Sequence, residues 1–163
     1  NADIVFRITP ENPYIYWEGI DSLIKNHIKG KYDFSYLDDV PLGSGFEVIN
    51  RAALELSHKQ GNKKHRSELC SLYIHEHRNK FKIKRFLPLK NLQRAELRVT
   101  VDTLEDLTVA RKIYESIGKD GKPIPLIKVI RFLDKNPDIA RINSEIPLGV
   151  SRIWLSNDPL RRT

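Results

Sequence analysis

The fold class is decided by one stretch, Leu97-Arg-Val-Thr-Val-Asp-Thr-Leu-Glu-Asp-Leu107. Its first part, residues 97–101, is rich in β-branched and apolar residues and predicts the clearest strand in the chain. Thr103, with Asp106 three residues later, has the spacing of a capping box, so a helix is expected to begin directly after the strand. A strand that leads straight into a helix is typical of an α/β sheet.

The residues after this stretch continue the helical pattern. A helix that ends at Gly118 is predicted to turn these apolar side chains inward: Leu104, Leu107, Ala110, Ile113, Tyr114 and Ile117. Residues 126–133 predict a further helix, which is broken at Asn136-Pro137 and followed by a short helical piece up to Asn143. Residues 144–163 are predicted to be an irregular tail.

Before this stretch, short strands alternate with helices. The predicted strands are residues 3–9, 32–37, 46–49 and 81–86. The predicted helices are residues 17–28 with Gly30 as the C-cap, residues 51–59 between Asn50 and Gly61, and residues 67–77. This alternation predicts one α/β domain over residues 1–143. The segment from Tyr32 to Phe86 is less regular and could be a protruding arm between two sheet elements.

Composition limits the functional classes. A chain of 163 residues suffices for one domain, and a single cysteine, Cys70, excludes an internal disulfide framework. No apolar run is long enough to span a bilayer and the N-terminus does not resemble a signal peptide, so we predict a cytoplasmic protein without a membrane partner. The net charge of +7 leaves an anionic partner open. Nucleic acid is the less favoured one, because the basic run Lys80, Lys82 and Lys84 lacks interleaved exposed aromatic residues.

Two predicted strand ends carry carboxylates. Asp102 lies at the edge of the sheet where open α/β proteins bind ligands, and it could hold Mg2+ while the metal engages a phosphate. In Arg7-Ile-Thr-Pro-Glu-Asn-Pro13, Glu11 could supply a second carboxylate, and Arg7 or Thr9 could contact an anion. Two alternatives stay open, namely that Asp102 only caps the helix and that the Glu11 loop is only a turn with two prolines.

Two other kinds of site find no support in the pattern. His75 and His77 are two residues apart, so they diverge on a helix, and the chain has no Cys-x-x-Cys pair that would indicate zinc. The chain also has no Gly-x-Ser-x-Gly elbow, so a nucleophilic serine is not indicated.

Taken in order, these motifs resemble the cytidylyltransferase family that includes the spore-coat polysaccharide biosynthesis enzymes, relatives of the synthetases of CMP-linked acidic sugars. Residues 7–13 resemble the family's Arg-Ile-Thr-Gly-Asp-x-Pro loop, and Pro41-Leu-Gly43 with Glu47-Val48 resembles its Pro-x-Gly…Glu-Val segment. Residues 68–74 resemble its Glu-His-Val-Thr-Pro-Tyr-Ile helix start. The most specific match is that of residues 97–107 to Leu-Arg-Leu-Thr-Val-Asp-Thr-Pro-Glu-Asp-Leu.

The resemblance implies a Rossmann-like nucleotide-diphospho-sugar transferase fold, with a mixed sheet and flanking helices. It implies that Asp102 and Glu11 hold Mg2+ while a sugar or sugar acid attacks the α-phosphate of CTP and releases pyrophosphate. Asp102 and Arg7 are then the catalytic candidates. The candidates for substrate binding are Thr9, Glu47, Arg66, Glu68 and Arg98. The resemblance also places an arm at about residues 40–86, which is expected to pair two subunits into a homodimer.

Three positions depart from the family pattern, with Pro10 in place of glycine, Glu11 in place of aspartate and Leu69 in place of histidine. The family's opening strand and glycine-rich CTP loop have no counterpart, so we expect this chain to be the C-terminal portion of such an enzyme and inactive alone. The same departures support a second hypothesis, a noncatalytic sugar-nucleotide-binding or dimerisation module of the same fold.

Overall fold

A mixed sheet of four strands organises the chain, in the order β1-β3-β2-β4. The computed structural model describes residues 2–67, 70–119 and 121–147. The strands are β1 (Ile4–Arg7), β2 (Phe34–Leu37), β3 (Glu47–Asn50) and β4 (Ile83–Phe86). The α-helices are α1 (Ile20–Gly30), α2 (Arg51–Gln60), α3 (Leu72–Glu76), α4 (Leu104–Ile117), α5 (Leu126–Lys135) and α6 (Pro137–Arg141). No helix in these ranges is long and apolar enough to cross a membrane.

Strand directions place three strand ends at one edge of the sheet. β3 is antiparallel to both β1 and β2, and β4 is parallel to β2, so β1, β2 and β4 run in the same direction. The register puts four residues in one row across the sheet, where their side chains share a face: Arg7, Glu47, Tyr36 and Arg85. This row lies near the carboxyl ends of the three parallel strands.

Helices cover both faces of the sheet. On one face, sheet residues pack with α1, α4 and α5 in a core that includes Leu23, Leu37, Val48, Val109, Ile113, Leu126, Val129 and Ile130. On the other face a second core contains Phe34, Tyr36, Ile49, Ala53, Tyr73, Ile74 and Phe81. Because side chains alternate along a strand, neighbours such as Val48 and Ile49 enter opposite cores. The predicted α/β class is therefore correct.

The segment from Leu97 to Val101 is not a strand of this sheet, so that prediction is wrong. Its one bridge pairs Arg98 with Leu42. The Leu42 carbonyl accepts from the Val99 and Thr100 N–H groups at 2.8 and 3.0 Å. The Val101 N–H donates to the Glu11 carbonyl at 2.9 Å. Two loops therefore satisfy the backbone groups that a neighbouring strand was expected to satisfy.

Helix α4 begins and ends as predicted, but its buried face differs. Thr103 is the N-cap in a capping box with Asp106, and Gly118 follows the last turn. Leu104 and Tyr114 are 79% and 49% exposed instead of facing the core. The buried stripe comprises Asp106, Val109, Ala110 and Ile113, so the polar Asp106 takes the place expected for an apolar residue in the first turn.

Three other predicted boundaries change. Helix α1 ends with Lys31 in the left-handed region, at φ 49°, so Gly30 is the last helical residue and not the cap. Asn50 precedes α2 as predicted, but its side chain donates to the Tyr32 carbonyl and leaves the helix uncapped. The helix predicted at residues 67–77 is described only as α3, with a turn before it and with 68–69 outside the described residues.

The predicted arm, residues 40–86, includes more of the sheet than expected. Both β3 and β4 fall within it, and β3 pairs with two strands of the sheet. The part outside the sheet contains α2 and α3, which pack on the second core through residues such as Ala53 and Tyr73. A projecting element is therefore confined to the region between β3 and β4.

Gly43 is required by the close contact between its loop and Thr100. It has a φ of 95°, and a Cβ there would lie 2.5 Å from the Thr100 backbone N. We expect Gly43→Ala to lower the free energy of unfolding by about 2–3 kcal/mol, measured by urea denaturation. Gly121→Ala is the matched control, because its φ is 69° but no atom lies within 4 Å of the added Cβ. Equal losses in the two variants would show that the contact with Thr100 is unimportant.

Candidate functional site

Glu11 and Asp102 lie on two loops that are joined at the end of β1. The hydrogen bond from the Val101 N–H to the Glu11 carbonyl places the residue before Asp102 against Glu11 itself. The Asp102 side chain is 51% exposed, so a ligand can reach it. Glu11 is partly buried. The structure thus brings together the two loops that carry the carboxylates proposed from the sequence as metal ligands.

Arg98 holds the Asp102 carboxylate. Its Nη2 donates to Asp102 Oδ2 at 2.8 Å, and the Arg98 side chain is 6% exposed. No hydrogen bond in the described ranges uses Asp102 Oδ1. The carboxylate therefore has one oxygen fixed by the protein and one oxygen available to a ligand.

Asp106 is the main partner of Arg98. Arg98 Nε and Nη2 donate to the two oxygens of Asp106, each at 2.8 Å. Asp106 also accepts from Asn143 Nδ2 at 2.8 Å and from the backbone N–H of Asp102 at 3.0 Å. Burial alone raises the pKa of Asp106, but the hydrogen bonds from Arg98, Asn143 and Asp102 outweigh it and lower the pKa to about 2.

The alternative in which Asp102 only caps α4 does not hold. Thr103 is the N-cap, and its Oγ1 accepts from the Asp106 N–H at 3.3 Å. The Asp106 carboxylate returns the bond by accepting from the Thr103 N–H at 3.2 Å. The Asp102 carboxylate takes no part in the capping box and is free for another role.

A second ion pair lies at the same end of the sheet. Arg7 Nη1 donates to Glu47 Oε2 at 2.9 Å, and Glu47 Oε1 accepts from Ser71 Oγ at 3.0 Å. Thr9 Oγ1 accepts from Asn12 Nδ2 at 2.8 Å within the Glu11 loop. Arg7, Thr9 and Glu47 thus lie near the carboxyl edge together with the Glu11 loop.

Two of the other predicted site residues cannot be assigned to this edge. Arg66 donates through Nε and Nη2 to the His58 carbonyl at 3.0 and 2.8 Å, so its guanidinium is bonded near the end of α2. Glu68 lies outside the described residues. Arg98 is at the site, but it is buried and bonded to carboxylates instead of facing a substrate.

Sequence reasoning missed two residues of the site. The sequence pattern predicts Asp106 only as a capping partner, although its spacing from Arg98 and Asp102 is compatible with a shared ion pair. Asn143 contacts Asp106 and Arg98 across 37 and 45 residues of sequence. No local pattern marks such a contact, so nothing in the sequence could have indicated it.

The carboxylates present fit Mg2+ better than a metal that needs several protein ligands. Among the described ranges, no group of three or more His, Cys, Asp or Glu side chains could hold a metal ion. Mg2+ commonly binds through one or two carboxylates and completes its shell with water and substrate phosphates. Glu11 and Asp102 match that donor set, and the free Asp102 Oδ1 is a hard oxygen ligand.

Comparison with known proteins supports the same family. No protein-family model matches the chain. The chain is 28% identical over 138 residues to the spore coat polysaccharide biosynthesis protein SpsF of Bacillus subtilis. It superposes on a cytidylyltransferase from Leptospira borgpetersenii with a TM-score of 0.77 at 20% sequence identity, covering 91% of this chain and 61% of that one. The chain is thus similar to SpsF in sequence and to a cytidylyltransferase in fold.

A further relative is the uncharacterized protein MJ1063 of Methanocaldococcus jannaschii, to which the chain is 34% identical over 148 residues. The alignments with MJ1063 and SpsF cover 90% and 84% of this chain. They cover 59% and 57% of those two proteins, so the chain spans well under two thirds of its curated relatives. The structural match confirms the predicted nucleotide-diphospho-sugar transferase fold.

The Asp106 carboxylate makes stability depend on pH. Because its pKa is lowered to about 2, Asp106 contributes stability above the ordinary aspartate pKa, and this is lost as the pH falls through about 2. We expect the free energy of unfolding to fall by about 2 kcal/mol more in the unmodified chain than in Asp106→Asn between pH 5 and pH 2. Urea denaturation at a series of pH values measures this difference. An equal fall in the free energy of unfolding of the two proteins over this pH range would contradict the stabilising role of the ionised Asp106.

Proposed function

We propose that this chain carries the metal-binding and substrate-binding part of a CTP-dependent sugar nucleotidyltransferase. The reaction transfers the cytidylyl group to a sugar or sugar acid and forms a CMP- or CDP-sugar for polysaccharide biosynthesis. The observation that carries the proposal is the Asp102 carboxylate, held by Arg98 through one oxygen and placed beside the Glu11 loop. The similarity to SpsF and to the cytidylyltransferase fold supports the chemistry.

In this proposal, the acids at the edge of the sheet serve phosphoryl transfer. An oxygen of the sugar attacks the α-phosphorus of CTP, the bond to the bridging oxygen breaks, and pyrophosphate leaves with that electron pair. Glu11 and Asp102 would hold Mg2+, which would supply positive charge to offset the charge on the phosphates. Asp102 is fixed by Arg98 before the substrates arrive, so little reorganisation is needed when charge develops.

Arg7 and Glu47 provide the polar contacts for the substrates. The Arg7 side chain is 27% exposed and keeps a direction set by Glu47, so it can face a phosphate or a sugar carboxylate. Thr9 supplies a hydroxyl in the same loop as Glu11. Arg98 acts on Asp102 and not on the substrate, because its guanidinium is buried. A homodimer formed through the arm completes the proposal.

A noncatalytic sugar-nucleotide-binding module is the second candidate. It is favoured by Pro10 and Glu11, which stiffen the loop and extend its carboxylate by one methylene relative to the family pattern. The nucleic-acid alternative loses support from the structure. Lys80 donates to Gln60 and Tyr73, and Lys82 donates to the Gly30 carbonyl, so two of the three lysines of the basic run make internal contacts.

Replacement of Asp102 tests the proposed function. We expect Asp102→Asn to lower Mg2+-dependent pyrophosphate release from CTP by about 100-fold or more in the native gene product, because the charge that faces the phosphates is lost. Glu105→Gln is the matched control, since this exposed acid of the first turn of α4 lies three residues away and should leave the rate unchanged.

The possible results separate the two candidates. Pyrophosphate release that depends on Asp102 and not on Glu105 supports the enzyme. CTP binding without turnover supports the noncatalytic module. Equal rates in Asp102→Asn and the unmodified protein would contradict the assignment of Asp102.

A further inference from the structure

We propose that Asp106 and Asn143 are positioning residues that keep the Asp102 carboxylate open to a divalent cation and its charge uncompensated, which they do by occupying Arg98. This inference rests on the proposed function of Asp102 as a metal ligand. It assigns a role to two side chains that the cation does not touch, one of them at the start of α4 and the other beyond α6.

The first step concerns charge. Arg98 lies between two carboxylates, and its Nη2 is bonded to Asp102 Oδ2 and Asp106 Oδ2 at once, each at 2.8 Å. The three side chains together carry a net charge of one negative unit when both acids are ionised. Asp106 therefore balances the guanidinium, and the charge of Asp102 stays available to a cation. Without Asp106, Arg98 would neutralise Asp102 instead.

The second step concerns geometry. Asp106 takes Nε and Nη2 of Arg98 in a two-bond pairing, so the guanidinium fork is aimed at Asp106 and only one N–H reaches Asp102. A guanidinium released from Asp106 can turn its fork to both oxygens of Asp102. That pairing would cover Oδ1, the oxygen that the present arrangement leaves for a ligand.

The third step concerns what holds Asp106 itself. Asn143 is 2% exposed and donates from Nδ2 to Asp106 Oδ1 at 2.8 Å and to the Arg98 carbonyl at 3.2 Å. The backbone N–H groups of Asp102 and Thr103 donate to the other oxygen, Oδ2. Both Asp106 oxygens are thus fixed from two sides, and Asn143 also binds the main chain that leads to Asp102.

A purely structural role for the same residues makes a different prediction. If Asp106 only capped α4, its loss would act through helix stability. Any substitution that destabilises the cap would then lower the affinity for the cation by the same factor. If Asp106 holds Arg98 away from Asp102, the effect depends on the Arg98 charge. Removal of that charge should then restore the cation site.

The experiment measures Mn2+ binding to the whole chain by the electron paramagnetic resonance signal of free Mn2+. We expect Asp106→Asn and Asn143→Ala to raise the Mn2+ dissociation constant by about 10–100-fold, as is common for residues that orient metal ligands. Thr103→Ala is the matched control, because it removes the other half of the capping box without changing the charge, and it should leave the constant within about twofold.

Rescue is the result that a structural role would not produce. We expect the double variant Asp106→Asn, Arg98→Gln to recover at least part of the lost Mn2+ affinity, since no guanidinium is left to neutralise Asp102. Thermal unfolding of each variant checks that it is folded. If Asp106→Asn does not fold, the comparison of Asn143→Ala with Thr103→Ala decides the question.

The outcomes separate this inference from the proposed function. No Mn2+ binding to the unmodified chain, or an unchanged constant in Asp102→Asn, would overturn the metal assignment and the inference together. A loss of affinity in Asp102→Asn but not in Asp106→Asn or Asn143→Ala would overturn the inference alone. Equal losses in Asp106→Asn and Thr103→Ala, without rescue, would also overturn it.

Discussion

The buried Arg98 guanidinium, bonded to Asp106 and Asp102, is the interaction on which the site depends. Removing one partner from a buried ion pair typically costs about 3–5 kcal/mol, because it leaves an uncompensated charge. Here Asp106 has the same exposure as a core residue, 1%, yet it is charged, and five hydrogen bonds from four residues satisfy it. The network joins the segment before α4, the first turn of that helix and the chain beyond α6, so it fixes the fold and the site together.

Much of the fold could be predicted because its signals are local. The capping box and Gly118 set both ends of α4, and the break before Pro137 separates α5 from α6. The strand predicted at residues 97–101 was wrong because composition reports a preference for paired, buried backbone and cannot say which partner supplies the pairing. In this fold the loop at Leu42 and the carbonyl of Glu11 supply it. The prediction that Leu104 faces the core was also wrong, because Asp106, which is paired with Arg98, occupies the buried face of the first turn of α4.

Some residues of the candidate site could likewise be predicted from the sequence, and others could not. Glu11 and Asp102 could be proposed because each follows a β-rich run, and the structure brings their loops together. The sequence could identify Arg98 as a site residue but could not predict its role, because that role depends on which atoms of Asp106 and Asp102 its guanidinium contacts. Asn143 could not be found at all, because it reaches the site only through the packing of α6 against its neighbours. Motifs in a sequence identify ligands to a cation more readily than the residues that orient those ligands.

The most direct test of this account is anomalous diffraction from crystals of the native gene product grown with Mn2+ and CTP. The account predicts one strong peak within about 2–2.5 Å of Asp102 Oδ1, with a carboxylate oxygen of Glu11 as a second ligand and Arg98 still bonded to Oδ2. A peak bound elsewhere, or Arg98 paired with both oxygens of Asp102 beside an unliganded Glu11, would contradict it.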